Sequence, residues 1–426
     1  MVGLLQGQLK YLQEKGLDVT VISPAGRHLD ELAQIGGVGA VEVPLARNIS
    51  PLRDLASLWR LWRIMCTLRP TVTNVGTPKA GLLGGFAAWI SGVPCRFYTL
   101  RGLRFETTQG LRRRLLVYAE RLACRFAHRV ICVSKSVREE AIAAGLTSRE
   151  QTVVFGSGSS NGVDASHFAP TPEMVARAAA LRRELGIPEQ ATVMGFVGRL
   201  TRDKGIPELV EAFLLLAGRF PNLWLLLLGR FEDEDPLPAH TRNCLGTHPR
   251  VILPGHQHIG REGDNKLTYV ACRCNSRFLA RDSDQKREDW PVQQTAPYYA
   301  MMDIFVLATR REGFPNVVLE AQAAGKPVVA ARATGVVDAI VDGETGLLFP
   351  VGDAVALADA VTRLLGDKAL ADKLGCAGRE RVKREFRQEQ IWEALYQEYL
   401  RLLETRHLPL PAMPWIERTG PQVEVQ

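Results

Sequence analysis

The strongest constraint on this chain lies between Asp303 and Ala331, where two apolar runs bracket a marked loop and a short helix. Asp303–Thr309 (Asp-Ile-Phe-Val-Leu-Ala-Thr) reads as a buried strand, and Glu312–Ala331 as a loop, a helix and a second strand. Pro315 suits the first helical position, Gly325 the left-handed residue after the last turn, and Pro327 prevents the helix from resuming. Strand, helix and strand in that order make a parallel βαβ unit, so the chain is an α/β protein. The loop before the helix then lies at the carboxyl end of a strand, where open α/β sheets bind ligands. The helix start adds free backbone N–H groups and a positive dipole end, which suit a phosphate.

Two carboxylates flank that helix start. Glu312 precedes it, and Glu320 sits within it eight positions later, sharing a face with Asn316 and the small residues Ala323 and Ala324. A carboxylate with such neighbours accepts two hydrogen bonds from vicinal hydroxyls, as on a ribose; the plainer reading is a solvated mid-helix glutamate. Upstream, Thr192–Gly198 reads as another buried strand, with Arg199 and Lys204 following at its carboxyl end. Two cations converging there would supply charge where a diphosphate leaving group develops it. The strand is not followed by GxGxxG, which argues against a dehydrogenase.

The stretch Glu312-Gly-Phe-Pro-Asn-Val-Val-Leu-Glu320 resembles the donor-site motif of retaining glycosyltransferases of family 4. Gly198-Arg-Leu-Thr-Arg-Asp-Lys-Gly205 and Asp342-Gly-Glu-Thr-Gly-Leu-Leu348 resemble two further motifs of the same family, in the family's order. The resemblance implies a GT-B fold, two Rossmann-like domains facing across a cleft. It implies that Arg199 and Lys204 bind the donor diphosphate with Gly198 and the Gly313-Phe314-Pro315-Asn316 helix start. Glu320 would bind the ribose, Glu312 the donor sugar near its reactive carbon, and Gly229 would lie near the base. No metal or other cofactor is expected, and the nucleotide-sugar, read as a UDP-sugar, is a substrate. The surroundings of Arg101 resemble a subgroup making bacterial surface polysaccharides, with a glycan or lipid-linked acceptor. Rivals are another GT-B enzyme, such as a UDP-sugar epimerase or a phosphorylase, and a non-catalytic sugar-nucleotide-binding protein.

The domains expected are 1–170, an acceptor-side domain; 171–387, the donor domain; 388–406, a helix crossing back to the first; and 407–426, a disordered tail. Two departures from the family stand out. The chain opens with an amphipathic helix from Leu4 to Lys15, so the strand that should start the first domain is missing and only Val2-Gly3 remains of its loop. A polar stretch, His258–Thr295, is inserted in the second domain; its Cys272 and Cys274 suggest a zinc site with His256 and His258 only by weak spacing. Gly3, Lys79, Arg101 and Arg104 are the acceptor-side or cleft candidates, and the resemblance implies that Arg101 stands where many relatives carry a histidine.

Charge is unevenly placed. Residues 1–170 hold 21 Lys and Arg against 12 Asp and Glu, a balance of +9, while the remainder balances 32 against 34, or −2. Basic residues alternate with aromatics at Leu58–Arg63 and cluster at Arg112–Arg114, which fits peripheral contact with an anionic membrane or a solvated basic face. No nucleic-acid-binding motif accompanies them. Eight scattered cysteines, no apolar run of about 20 residues and no signal-peptide pattern suggest a cytoplasmic protein, with the inner face of the membrane as its working place.

Overall fold

The computed structural model describes residues 6–26, 29, 32, 36–45, 50–159, 161–254 and 292–411. Packing divides the chain into two units: Met1–Thr99 with Leu122–Val130 and Gln388–Gln426, and Leu100–Arg121 with Ile131–Arg387. Residues 100–121 and 131–170 thus group with the second unit, whereas the sequence places them in the first.

The first unit begins with helix α1 (Gln6–Glu14), and among the described residues no strand precedes it. Strand β1 (Val19–Ser23) pairs in parallel with β2 (Val38–Glu42), Val19 opposite Val38. Helix α2 (Pro51–Leu68) then buries Ser57, Leu61 and Met65 along one stripe. Strand β3 (Val72–Val75) leads to α3 (Pro78–Ile90), whose start is fixed by Thr77, which accepts from the Ala80 N–H, with Pro78 in the first turn. Strand β4 (Cys95–Leu100), helix α4 (Gly110–Phe126) and strand β5 (Arg129–Cys132) follow, and α5 (Lys135–Ala143) and the short β6 (Thr152–Val153) come after them in the second unit. The division between the units passes through β4 and β5.

In the second unit, α6 (Pro172–Glu184) precedes strand β7 (Thr192–Val197), helix α7 (Ile206–Ala217) and strand β8 (Leu223–Leu228). Helix α8 (Ala239–Thr247) and β9 (Val251–Ile252) come before α9 (Val292–Met301) and β10 (Ile304–Leu307). Helix α10 (Asn316–Ala323), β11 (Val328–Ala331), α11 (Val336–Ala339) and β12 (Leu347–Phe349) complete the alternation. The six strands are parallel in the order β12-β11-β10-β7-β8-β9. Their near-continuous Val, Leu, Ile and Ala content is that of strands covered on both faces. Helices α12 (Ala354–Gly366) and α13 (Lys368–Glu385) close the unit. The order reverses between β7 and β10, with Ile304 opposite Met194, so the loops leaving these two central strands flank the switch point where such sheets bind ligands.

The last helix, α14 (Gln388–Thr405), belongs to the first unit. Its Tyr399 hydroxyl accepts from Asn74 at 2.8 Å and its ring lies 4.8 Å from Phe97, while Glu398 pairs with Arg129 at 2.6 Å. Two sequence expectations change here. Helix α9 begins at Val292, so Val292–Thr295 are helical and Thr295 is buried rather than part of a loop. The rest of the inserted stretch, with His256, His258, Cys272 and Cys274, lies outside the described residues.

Candidate functional site

The site grows from two loops, one after β7 and one after β10. Gly198 (φ +148°) and Gly205 (φ +70°) bound the first loop, both in backbone conformations that favour glycine. Gly205 stands so close to the carbonyl of Ala308 that a β-carbon would overlap it, and Gly229 meets the carbonyl of Gly198 in the same way. The loops after β7, β8 and β10 are therefore held together at backbone contact. Thr309 Oγ1 and the Arg310 N–H both donate to the Asp203 carbonyl, at 3.3 and 2.9 Å.

The charged groups of these loops pair across the switch point. Lys204 Nζ donates to Glu312 Oε1, and both side chains are largely buried. Arg199 donates to Glu232 at 2.7 Å. Burial opposes the charge on its guanidinium, but the hydrogen bond and charge of Glu232, with Asp203 and Glu312, hold its pKa above the ordinary value. Arg311 bridges Asp203 at 2.9 Å and Thr107 at 3.0 Å. The two cations and the carboxylate expected from the sequence thus converge. Their partners Glu232 and Thr334, whose carbonyl accepts from the Glu312 N–H at 3.2 Å, are additions that no local pattern marks, while Asp203 lies within the 198–205 stretch without being singled out there.

Glycines set the second loop. A β-carbon on Gly313 would overlap the carbonyl of Arg101, and one on Gly335 would overlap the carbonyl of Gly313. The backbones of Arg101-Gly102, Gly313 and Gly335 are therefore stacked without room for side chains. Gly313→Ala is expected to lower unfolding free energy by about 2 kcal/mol through this overlap. Gly325→Ala, where a β-carbon meets nothing but φ is +73°, should lose about 1 kcal/mol from backbone strain alone. Urea unfolding of both variants checks the difference; equal losses would mean that the stack yields. Phe314 is buried against Phe386, and Gly158 lies under its ring.

Pro315 caps the helix rather than opening it. It has extended backbone angles (φ −85°, ψ 92°) and Asn316 is the first helical residue, one position later than expected, because the Val318 N–H bonds the Pro315 carbonyl. At the other end Gly325 takes the left-handed conformation as expected, with the Lys326 N–H on the Ala321 carbonyl at 2.9 Å. Ser159 donates weakly to Asn316 Oδ1 at 3.5 Å.

Glu320 is buried, not solvated: it is 9% exposed and accepts from the Tyr299 hydroxyl at 2.6 Å. Burial pushes its carboxyl up to about 7, against the lowering effect of the Tyr299 hydrogen bond, and the Tyr299 phenol is itself raised well above its usual value by burial and by Glu320. Tyr299 lies on α9, just after the stretch that reads as an insertion, which is why sequence reasoning misses it.

The remaining candidates are dispersed. Lys79, on α3 of the first unit, forms an ion pair with Asp54 at 2.5 Å. Arg101 is half-buried beside Gly313, and Arg104 is exposed at the start of the single turn Arg104–Thr107. In that turn Glu106, raised by burial, accepts from Thr334 at 2.7 Å. Gly3 lies outside the described residues. No cluster of three or more potential metal ligands occurs among the described residues.

Residues 5–158 match the glycosyl transferase 4-like domain, and residues 178–260 and 289–367 match glycosyl transferases group 1. Over 398 residues the chain is 32% identical to the capsular polysaccharide biosynthesis glycosyltransferase CapM of Staphylococcus aureus, covering 93% of each protein. It is 25% identical over 371 residues to the UDP-Gal:alpha-D-GlcNAc-diphosphoundecaprenol alpha-1,3-galactosyltransferase of Escherichia coli, covering 85% of this chain and 84% of that one. Among solved structures, HepE of Anabaena in complex with UDP and glucose superposes with a TM-score of 0.70 at 21% identity over 94% of both chains. Sucrose-phosphate synthase of Thermosynechococcus elongatus does so with a TM-score of 0.68 at 22% identity, over 94% of this chain and 92% of that one.

Proposed function

Because the chain belongs to the group 1 glycosyltransferases and has the GT-B fold, we propose that it moves a sugar from a UDP-sugar to a glycan or lipid-linked acceptor. The reading places it in the assembly of a surface polysaccharide, with the anomeric configuration retained and no metal required. The convergence of Arg199, Lys204 and Glu312 at the switch point carries it. Arg199 and Lys204 would neutralise the departing diphosphate, and the start of α10 would add its N–H groups. Glu312, released from Lys204, would face the donor sugar, and Glu320 would take the ribose hydroxyls. The names of the relatives support the pathway and the uridine nucleotide.

The test is to incubate the protein with a panel of UDP-sugars and undecaprenol-diphosphate-linked acceptors. UDP release and the anomeric configuration of the product are followed by NMR. Release with an α-linked product from an α-configured donor supports the reading. Transfer with the opposite configuration removes retention; neither transfer nor UDP binding to the folded protein removes the whole assignment.

A second observation bears on where the acceptor is met. On α2 of the first unit, Leu52, Leu55, Trp59 and Trp62 form an outward stripe, 84%, 64%, 53% and 38% exposed, interleaved with Arg53, Arg60 and Arg63. Aromatic and leucine side chains beside arginines are the composition of a helix lying in an anionic interface. This stripe supports the reading that the enzyme works in the cytoplasm with this helix against the inner face of the membrane. Replacing both Trp59 and Trp62 by serine is expected to weaken binding to phosphatidylglycerol vesicles at least tenfold in a sedimentation assay, with transfer to a water-soluble acceptor unchanged. Equal vesicle binding would dismiss the helix as the contact.

A further inference from the structure

Glu312, the carboxylate assigned to the donor sugar, is gripped from one short segment of its own unit, residues 102–107. The backbone of Gly102 (φ +136°) lies against Gly313, where a β-carbon would stand 3.2 Å from the Gly313 nitrogen. Thr107 Oγ1 accepts from the Arg311 side chain at 3.0 Å, and the same guanidinium pairs with Asp203 at 2.9 Å. Between these two flanks, Glu106 accepts from the Thr334 hydroxyl at 2.7 Å. The Thr334 carbonyl in turn accepts from the Glu312 N–H at 3.2 Å. The residue before Glu312, the residue after it and its own peptide are thus all reached from this segment.

Glu106 has the wrong surroundings for a carboxylate that only stabilises the fold. Its turn, Arg104–Thr107, is anchored by the buried Phe105. Buried polar atoms are ordinarily hydrogen-bonded, yet Glu106 Oε2 is buried with no hydrogen-bond partner among the described residues. Burial raises the pKa of this carboxyl, Glu140 and Asp203 add to the rise, and Thr334 and Arg311 act against it. These surroundings favour the acceptor oxygen on Thr334 over the charge. The far side of Thr334 is already fixed. The Gly335 N–H donates to Ser136 Oγ at 2.7 Å, and Ser136 donates to Asp338 on α11. What Glu106 adds is a hold on the Thr334 side chain.

We propose that Glu106 is a positioning residue for sugar transfer: through Thr334 it fixes the peptide of Glu312, and so the reach of the Glu312 carboxyl toward the donor sugar. The inference rests on the transferase reading above. In that reading the Glu312 side chain leaves Lys204 for the sugar, and a carboxylate that changes partners needs a backbone that does not move. A displacement of about 1 Å, caused at a distance from the reacting atoms, costs on the order of a hundredfold in rate. The nucleotide is held in the same reading by Arg199, Lys204 and Glu320, whose hydrogen bonds go to Glu232, Glu312 and Tyr299 rather than to Glu106 or Thr334. Loss of the relay therefore acts on turnover and spares nucleotide binding.

The test compares Glu106→Ala, Glu106→Gln and Thr334→Val with the parent chain. Amide hydrogen exchange at Glu312, kcat for transfer and UDP affinity by calorimetry are measured for each. Glu106→Ala and Thr334→Val are expected to speed exchange at Glu312 and to lower kcat, each at least about tenfold, with UDP affinity within about twofold of the parent. Glutamine offers the same acceptor oxygen, so Glu106→Gln should hold kcat within about threefold. The double variant Glu106→Ala with Thr334→Val should be no slower than the slower single one, because both remove one bond. If Glu106→Ala fails to fold, Thr334→Val and Glu106→Gln must still separate in this way. Unchanged exchange at Glu312, or equal losses of kcat and UDP affinity, would overturn the proposal. So would a glutamine variant as slow as the alanine one, or effects that multiply in the double variant. A parent that binds UDP but transfers no sugar would strike the transferase reading instead, and exchange at Glu312 would then decide the relay by itself.

Discussion

Replacing Lys204 by alanine is expected to lower the rate of sugar transfer by about a hundredfold or more, the usual loss when one preorganised charge is removed from a developing anion. Lys204 donates to Glu312, so the substitution also leaves a largely buried carboxylate without its cation. That second effect acts on every state of the enzyme, whereas the lost diphosphate contact acts in the transition state, so kcat should fall much more than UDP affinity. The double variant Lys204→Ala with Glu312→Gln isolates the two. It should recover folding stability, measured in urea, without recovering turnover. Turnover near the parent's in Lys204→Ala would make the lysine a structural partner of Glu312 only.

Glu320 gives the second large effect. Glu320→Ala should lose about 1.5–3 kcal/mol of UDP binding, the range for hydrogen bonds to a charged group, read by calorimetry. Its stability signature has a definite sign. The folded protein holds the Glu320 proton up to about pH 7, whereas the unfolded chain releases it near the ordinary 4.5. The resulting stabilisation is full below 4.5 and is lost as the pH rises through 7. Glu320→Gln keeps the shape without the ionisation, so it should match the parent at pH 4.5 and exceed it at pH 8 by on the order of 3 kcal/mol. Tyr299→Phe removes the bond that favours the charged form and should move the transition to higher pH. A flat difference between Glu320→Gln and its parent across pH 5–8 would contradict the buried assignment.

What the sequence reveals of the site follows from how local each feature is. Arg199, Lys204 and Glu312 stand on loops directly after central strands, so a strand and its following residues are enough to place them. Gly325 is legible because its left-handed turn is a property of one residue. Pro315 is displaced by one position because proline fits both the cap and the first turn, and the choice depends on the bond from the Val318 N–H. Glu232 and Tyr299 are not legible. Each reaches its partner from a separate element, and their local patterns describe an irregular loop and a helix end. The stacking of Gly102, Gly313 and Gly335 likewise joins three distant loops. Each glycine alone reads as an ordinary turn. The grouping of residues 131–170 has the same origin: Val163 bonds the Phe386 carbonyl, and Ser136 donates to Asp338, both far along the chain.

The Lys204–Glu312 pair has a consequence for which small anions the enzyme tolerates. With the lysine occupied by a carboxylate of its own, the site presents a weaker net field to passing phosphate than two unpaired cations would. An incoming anion must compete with a tethered one, and a single phosphate has little to offer against a partner already in place. A diphosphate long enough to reach both Lys204 and Arg199 would engage two cations at once, each already paired with a carboxylate, where a phosphate engages one. Pyrophosphate should accordingly inhibit far better than phosphate at equal charge concentration, and Glu312→Gln should narrow that gap by letting phosphate in. Selection among anions would then rest on a competitor built into the chain.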